Sequence, residues 1–186
     1  MMGEAIRPNL SILIGAGAAI ALVSTVSLPW SVAIASTVLG VLMIAGADVD
    51  ARTYLLPDAI TWGAAVVGIA SAPLLDRVDP WLAVAGALAR ALGCLIVLAL
   101  LRLCYARIRG REGLGFGDVK LAAAVGAWLP LSSIPLCFSL AATAALVTVV
   151  IALLRGLPID QTTKLPFGAF LCPALWLVFY ASALPQ

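Results

Sequence analysis

The chain has 186 residues, of which 63% are hydrophobic and 11% charged, with a mean hydropathy of +1.14, a net charge of +2 and no histidine. An apolar share this far above the roughly 45–50% of soluble domains excludes an ordinary soluble enzyme and leaves room for one helical membrane bundle. The lack of histidine excludes H-E-x-x-H zinc sites and Ser-His-Asp triads. The basic residues are segregated along the chain rather than pooled, so no nucleic-acid surface is expected.

A bilayer core takes about 20 apolar residues per helix. On that measure seven spans are predicted in chain order: Asn9–Leu28, Ser31–Ala47, Ala59–Leu75, Trp81–Leu103, Val119–Leu131, Ile134–Leu154 and Pro166–Leu184. Turn residues separate them at Leu28-Pro29, Asp76 to Pro80, Pro130 with Ser132-Ser133, and Arg155 to Pro158. The first span follows Arg7 and exceeds the roughly 7–15 apolar residues of a signal peptide. Its mock cleavage site, Ala33-Ile-Ala35, sits inside another apolar run, so the segment reads as an uncleaved span. The expected fold is all-α, a polytopic integral membrane helical bundle of about seven spans in a single domain, with residues 1–30 as the N-terminal span and 31–186 as the core.

With the N-terminus inside, alternation puts Arg7, Arg52, Arg102, Arg107, Arg109, Arg111, Lys120, Arg155 and Lys164 on the cytoplasmic side. Only Arg77 falls outside, and Arg90 lies within the fourth span, where it must snorkel, pair or face a wet cavity. The fifth span is too short for a ~30 Å hydrocarbon core at about 1.5 Å per residue. The carboxylate at its start therefore stays shallow and reachable by water. Cys94, Cys104, Cys137 and Cys172 form no C-x-x-C pair and read as small apolar residues rather than disulfide or zinc ligands.

Carboxylates beside hydrocarbon are costly and usually functional. Asp48 and Asp50, two apart on a continuing helix, point to different sides and cannot share a site. Asp58 follows Pro57 and belongs to the opening turn of the third span, where the helix dipole favours it. Asp48 and Asp58 read as interfacial polarity. Further on, Gly113-Leu-Gly115-Phe-Gly117-Asp118 opens the fifth helix with little bulk beside its carboxylate. It contains no G-x-G-x-x-G and no βαβ unit, so a dinucleotide loop is excluded.

Three motifs together resemble the prepilin peptidases, the type IV leader-peptidase family of GxGD membrane aspartyl proteases. Asp50 stands seven residues before Pro57, as the family's first aspartate does before its Leu/Ile-Pro step. Gly115-Phe-Gly117-Asp118-Val-Lys120-Leu121 fits the GxGD motif, and Lys164-Leu-Pro166-Phe167-Gly168-Ala169-Phe170 is similar to the family's Lys-x-Pro-Phe-Gly-Pro-Phe. The resemblance runs from about Ser31 to Leu184 and implies a six-span protease core plus one extra N-terminal helix. It departs in two places: Ala169 replaces a proline, and no cytoplasmic insertion with paired C-x-x-C motifs separates the first two spans, so methylation of the product is not expected.

The resemblance implies Asp50 and Asp118 as catalytic residues, with Gly115, Gly117, Pro57, Asp58, Lys120, Pro166, Phe167 and Gly168 in supporting motifs. Two carboxylates a few ångströms apart share a proton and titrate as a pair, so one activates water while the other polarises the scissile carbonyl. Which of them starts protonated is open. No metal or cofactor is needed. The implied substrate is a prepilin or pilin-like precursor in the lipid bilayer, cut on the cytoplasmic face of the inner membrane to release its basic leader. The loop with Arg107, Arg109 and Arg111 would repel that leader and suits anionic lipid, whereas Asp48, Asp58 or Glu112 would attract it. Lys120, two positions past Asp118, is expected to point elsewhere as an interfacial anchor.

Two other readings compete. A signal-peptide-peptidase or presenilin type of intramembrane protease would bring a Tyr-Asp motif, which is absent, and Pro173-Ala-Leu175 is too short a match to carry it. A carboxylate-based transporter predicts broken helices deep in the bilayer rather than aspartates at one edge.

Overall fold

The computed structural model describes residues 8–76, 78–110, 113, 115–156 and 165–184. Arg7, Arg77, Arg111, Glu112, Leu114, Pro158 and Lys164, which entered the sequence reading, lie outside the described residues. Among those described there are seven helices and no strand: α1 (Leu10–Ser27), α2 (Trp30–Thr53), α3 (Asp58–Leu75), α4 (Pro80–Arg109), α5 (Phe116–Trp128), α6 (Ile134–Leu154) and α7 (Phe167–Ala183). Five of them, α1 to α4 and α6, are long and apolar enough to cross a membrane. This is the expected polytopic helical bundle.

Local chemistry sets most helix starts. Asn9 caps α1 by accepting from the Ser11 N–H, and Asp79 caps α4 by accepting from Leu82, with Pro80 in the first turn. Pro57 precedes α3, which makes Asp58 its first residue, as the sequence suggested. α5 lies three residues earlier than the predicted Val119–Leu131, and two other helices end well beyond expectation. α2 continues past Ala47 to Thr53, where Tyr54 adopts a left-handed conformation (φ 56°) and its N–H bonds back to the Asp50 carbonyl. α4 likewise runs past Leu103 to Arg109, so Arg107 and Arg109 occupy the last turn of a helix rather than a loop; nothing breaks the helix until Gly110 at φ 67°. Basic side chains in that last turn also suit the negative end of the helix.

α5 is the hub of the bundle. Every residue from Asp118 to Trp128 except Lys120 is buried, and the helix packs against α3, α4, α6 and α7. Small residues allow this: Ala122, Ala123, Ala124, Gly126 and Ala127 let neighbouring backbones close in. A Cβ on Gly126 would stand 2.3 Å from the Arg90 carbonyl oxygen of α4. At the same end Trp128 donates to the Ala64 carbonyl at 2.8 Å and meets Phe179 edge-on at 5.2 Å. α4 and α6 bury few of their residues and form the apolar outer wall, while α1 is tied on by the Ser24–Ser36 hydroxyl pair (2.9 Å) and the Trp176 indole reaching Ser36. All four cysteines are free, and Cys137 and Cys172 are buried, as read from the sequence.

Arg90 is the one basic side chain placed mid-span. Its Nε donates to the Leu129 carbonyl at 2.9 Å and the Gly126 carbonyl at 3.3 Å. These are orphan carbonyls at the C-terminal end of α5, where a cation also meets the negative end of the dipole. The charge is thus satisfied structurally.

Candidate active site

The opposite end of α5 gathers the acidic motifs. Because α2 stays helical to Thr53, Asp48 and Asp50 diverge around its last turns. Asp48 faces α1: it accepts from the Asn9 N–H at 2.7 Å and pairs with Arg52, one turn along. Asp50 faces inward and is 4% exposed. Its carboxylate accepts from the Ala169 N–H at 2.8 Å, in the first turn of α7. The Ala169 N–H also lies 3.2 Å from the Pro166 carbonyl. Helix starts leave such N–H groups without partners of their own, so a carboxylate from another helix fills the role of a cap.

Asp118 sits in the first turn of α5, is 7% exposed and lies beside Gly115, the residue that caps its own helix. The Asp50 charge acts on Asp118, and both act on the buried thiol of Cys172. The two aspartates therefore share one end of the bundle within electrostatic reach of each other.

Leu56 explains the glycines. Its side chain fills a socket made by α2, α5 and α7: a Cβ on Gly117 would come within 2.8 Å of it, and one on Gly168 within 2.9 Å of Asp50 Oδ2 and closer still to Leu56. A Cβ on Gly115 would stand 3.0 Å from Asp118 Oδ2. These glycines clear room for the carboxylates and for one apolar side chain between them. Leu56 was present in the sequence only as part of the Leu-Pro step, and nothing in its type or spacing marked it as the group packed between two motifs.

The remaining motif residues support this arrangement from outside. Lys120 Nζ pairs with Asp58 Oδ1 at 2.6 Å, linking α5 to the start of α3, and lies 4.6 Å over the Phe116 ring, which Arg102 approaches at 5.3 Å. Lys120 does point away from Asp118, but its partner is a specific carboxylate, and Asp58 is more than interfacial polarity. Asp48 and Asp58, both offered as attractors for a basic leader, are thus already paired with cations. Pro57 and Pro166 precede α3 and α7, and Phe167 opens α7 against the core. Beside Asp48 and Ala169 an apolar groove of about 710 Å³ runs between α1, α2 and α7, past Ala16, Met43 and Trp176.

Residues 37–152 match the model of the type IV leader peptidase family, a stretch that contains Asp50 and Asp118 but not the motif at the start of α7. The chain is similar to the prepilin leader peptidase/N-methyltransferase of Burkholderia pseudomallei, with 35% identity over 147 residues, covering 77% of this chain and 45% of that protein. It is similar to the prepilin leader peptidase/N-methyltransferase of Aeromonas hydrophila at 29% identity over 163 residues, covering 85% of this chain and 52% of the relative. For the protein of the same description from Pectobacterium carotovorum the figures are 35% over 124 residues, 66% and 42%. The chain spans about half the length of these curated relatives. No solved structure matches it.

Proposed function

Since the chain belongs to the type IV leader peptidase family, we propose that it is a membrane aspartic endopeptidase with Asp50 and Asp118 as its catalytic pair. The substrate is a prepilin or pilin-like precursor whose basic leader precedes an apolar helix. One observation carries the assignment. Among the described carboxylates at this end of the bundle, Asp48 and Asp58 are in ion pairs, whereas Asp50 and Asp118 are buried and come from different helices, Asp50 held by a backbone N–H group. Carboxylates arranged in this way are suited to exchanging protons.

The chemistry follows from one shared proton. The ionised carboxylate takes a proton from water as the water oxygen bonds to the scissile carbonyl carbon. The protonated carboxyl gives its proton to the carbonyl oxygen, leaving a tetrahedral diol. On collapse the first group returns its proton to the amide nitrogen, the diol returns one to the second, and the C–N bond breaks. Both carboxyls end as they began.

Orientation rests on charge. Arg52 and Lys120 lie on the helix ends that carry the aspartates, and Arg102, Arg107 and Arg109 on the C-terminal stretch of α4, whose Arg102 meets Phe116 at the start of α5, which supports a cytoplasmic site in the inner membrane. The groove beside Ala169 gives the substrate's apolar helix a route to the pair, with α1 as an addition to the helices that hold it. Co-expression with a prepilin-like precursor, read by mobility shift, tests the proposal. Asp50→Asn and Asp118→Asn are each expected to abolish cleavage while the protein remains inserted. Cleavage retained by either variant removes that residue from the pair.

A further inference from the structure

The two carboxylates are held differently, and resting on the catalytic reading above we infer that Asp50 is the ionised member, the base toward water, with the Ala169 amide as its positioning group and Asp118 carrying the proton. Asp50 accepts an N–H bond at 2.8 Å from Ala169, in the first turn of another helix. Asp118 lies instead beside Gly115, at the start of its own helix. Bonds from N–H groups favour the charged form of a carboxylate.

Helix dipoles alone would favour the charge on Asp118. Asp50 lies in the last turn of α2, whose negative end opposes a charge, but it docks on the positive end of α7; Asp118 lies at the positive end of α5. The long-range contributions at Asp50 thus oppose each other, and the direct donor decides. From α4 Arg102 lies over the Phe116 ring at 5.3 Å, at the start of the helix that carries Asp118. From α7 the buried Cys172 thiol faces both carboxylates, and from α5 Asp118 itself faces Asp50. On α2 Asp48 is tied to Arg52, at the start of α3 Asp58 is tied to Lys120, and α1 carries no titratable side chain.

Ala169 makes the inference testable, because proline at this position deletes the donor while its fixed φ suits the first turn of a helix. With a base at Asp50, the acid limb of the pH–rate profile for precursor cleavage reports its protonation. Ala169→Pro is expected to move that limb to higher pH by about one unit, a tenfold change in proton affinity for one lost charge-assisted bond. Ala169→Gly keeps the N–H and leaves the limb in place. An unmoved acid limb in a cleaving Ala169→Pro protein, or a displaced alkaline limb instead, overturns the assignment. Those results leave the catalytic pair itself intact, which only cleavage by Asp50→Asn or Asp118→Asn would refute. The unsubstituted protein supplies a second reading that needs no folded variant. Dicyclohexylcarbodiimide modifies protonated carboxyls in apolar sites, so mass spectrometry at neutral pH is expected to find the adduct on Asp118. An adduct on Asp50 in preference, or equally on both, overturns the inference.

Discussion

At its C-terminal end α5 presents the Gly126 and Leu129 carbonyls to the Arg90 guanidinium, and at its N-terminal end it presents Asp118 to Asp50. Both ends are inside the bundle, because a helix of 13 residues is only about 20 Å long and its neighbours overhang it. At one end a charge of complementary sign closes the site, and every group there has a partner. At the other end two carboxyls face each other over one proton, and the Ala169 N–H holds one of them. The first arrangement contributes to stability. The second costs stability, which is expected of a site that must keep a proton in motion.

Substitutions can break this contrast or sharpen it. The largest effect belongs to the acidic end: Asp118→Asn should lower the cleavage rate by about 1000-fold or more while the thermal midpoint in detergent holds or rises, since a neutral amide replaces a buried ionisable carboxyl beside Asp50. A clear fall in the midpoint would mean the carboxylate is structural. At the other end the signature inverts. Arg90→Leu strands two carbonyls and should cost about 3 kcal/mol of stability, with cleavage falling only as the folded fraction falls; measured unfolding in detergent beside initial rates separates the two. Gly126→Ala places a methyl group against the Arg90 carbonyl and should cost about 1–3 kcal/mol, again without changing the rate per folded molecule. The smallest effect is expected from Lys120→Gln. Its partner Asp58 has a side chain 68% exposed, so the loss should stay below about 1 kcal/mol, and a loss of activity as large as that of Asp118→Asn would place Lys120 in the chemistry after all.

Much of this was legible in the sequence for specific reasons. Asp50, Asp118 and the motif at 166–168 stood out because charge and glycine are rare inside apolar runs, and the helix count followed from run length. The ends of α2 and α4 were missed because hydropathy falls before the helix stops: Asp48 to Thr53 and Cys104 to Arg109 are polar enough to resemble loops yet contain no breaker. The pairing of Lys120 with Asp58 was hidden by a separation of 62 positions along the chain. The Ala169 contact was hidden for a deeper reason. A backbone N–H carries no side-chain signature, so a donor that any residue but proline would supply cannot be read from residue type.

Tyr54 is the only non-glycine with positive φ among the described residues. Between Asp50 and Pro57 the chain completes one helical turn, reverses its hand at Tyr54, and drops Leu56 into the cleft before α3 begins. This stretch acts as a ruler. Outward-facing Leu55, 59% exposed, is free to change its chemistry, but adding or deleting a single residue between 54 and 57 would lift Leu56 from its seat or pull Asp50 off α7. Length here is held more tightly than identity.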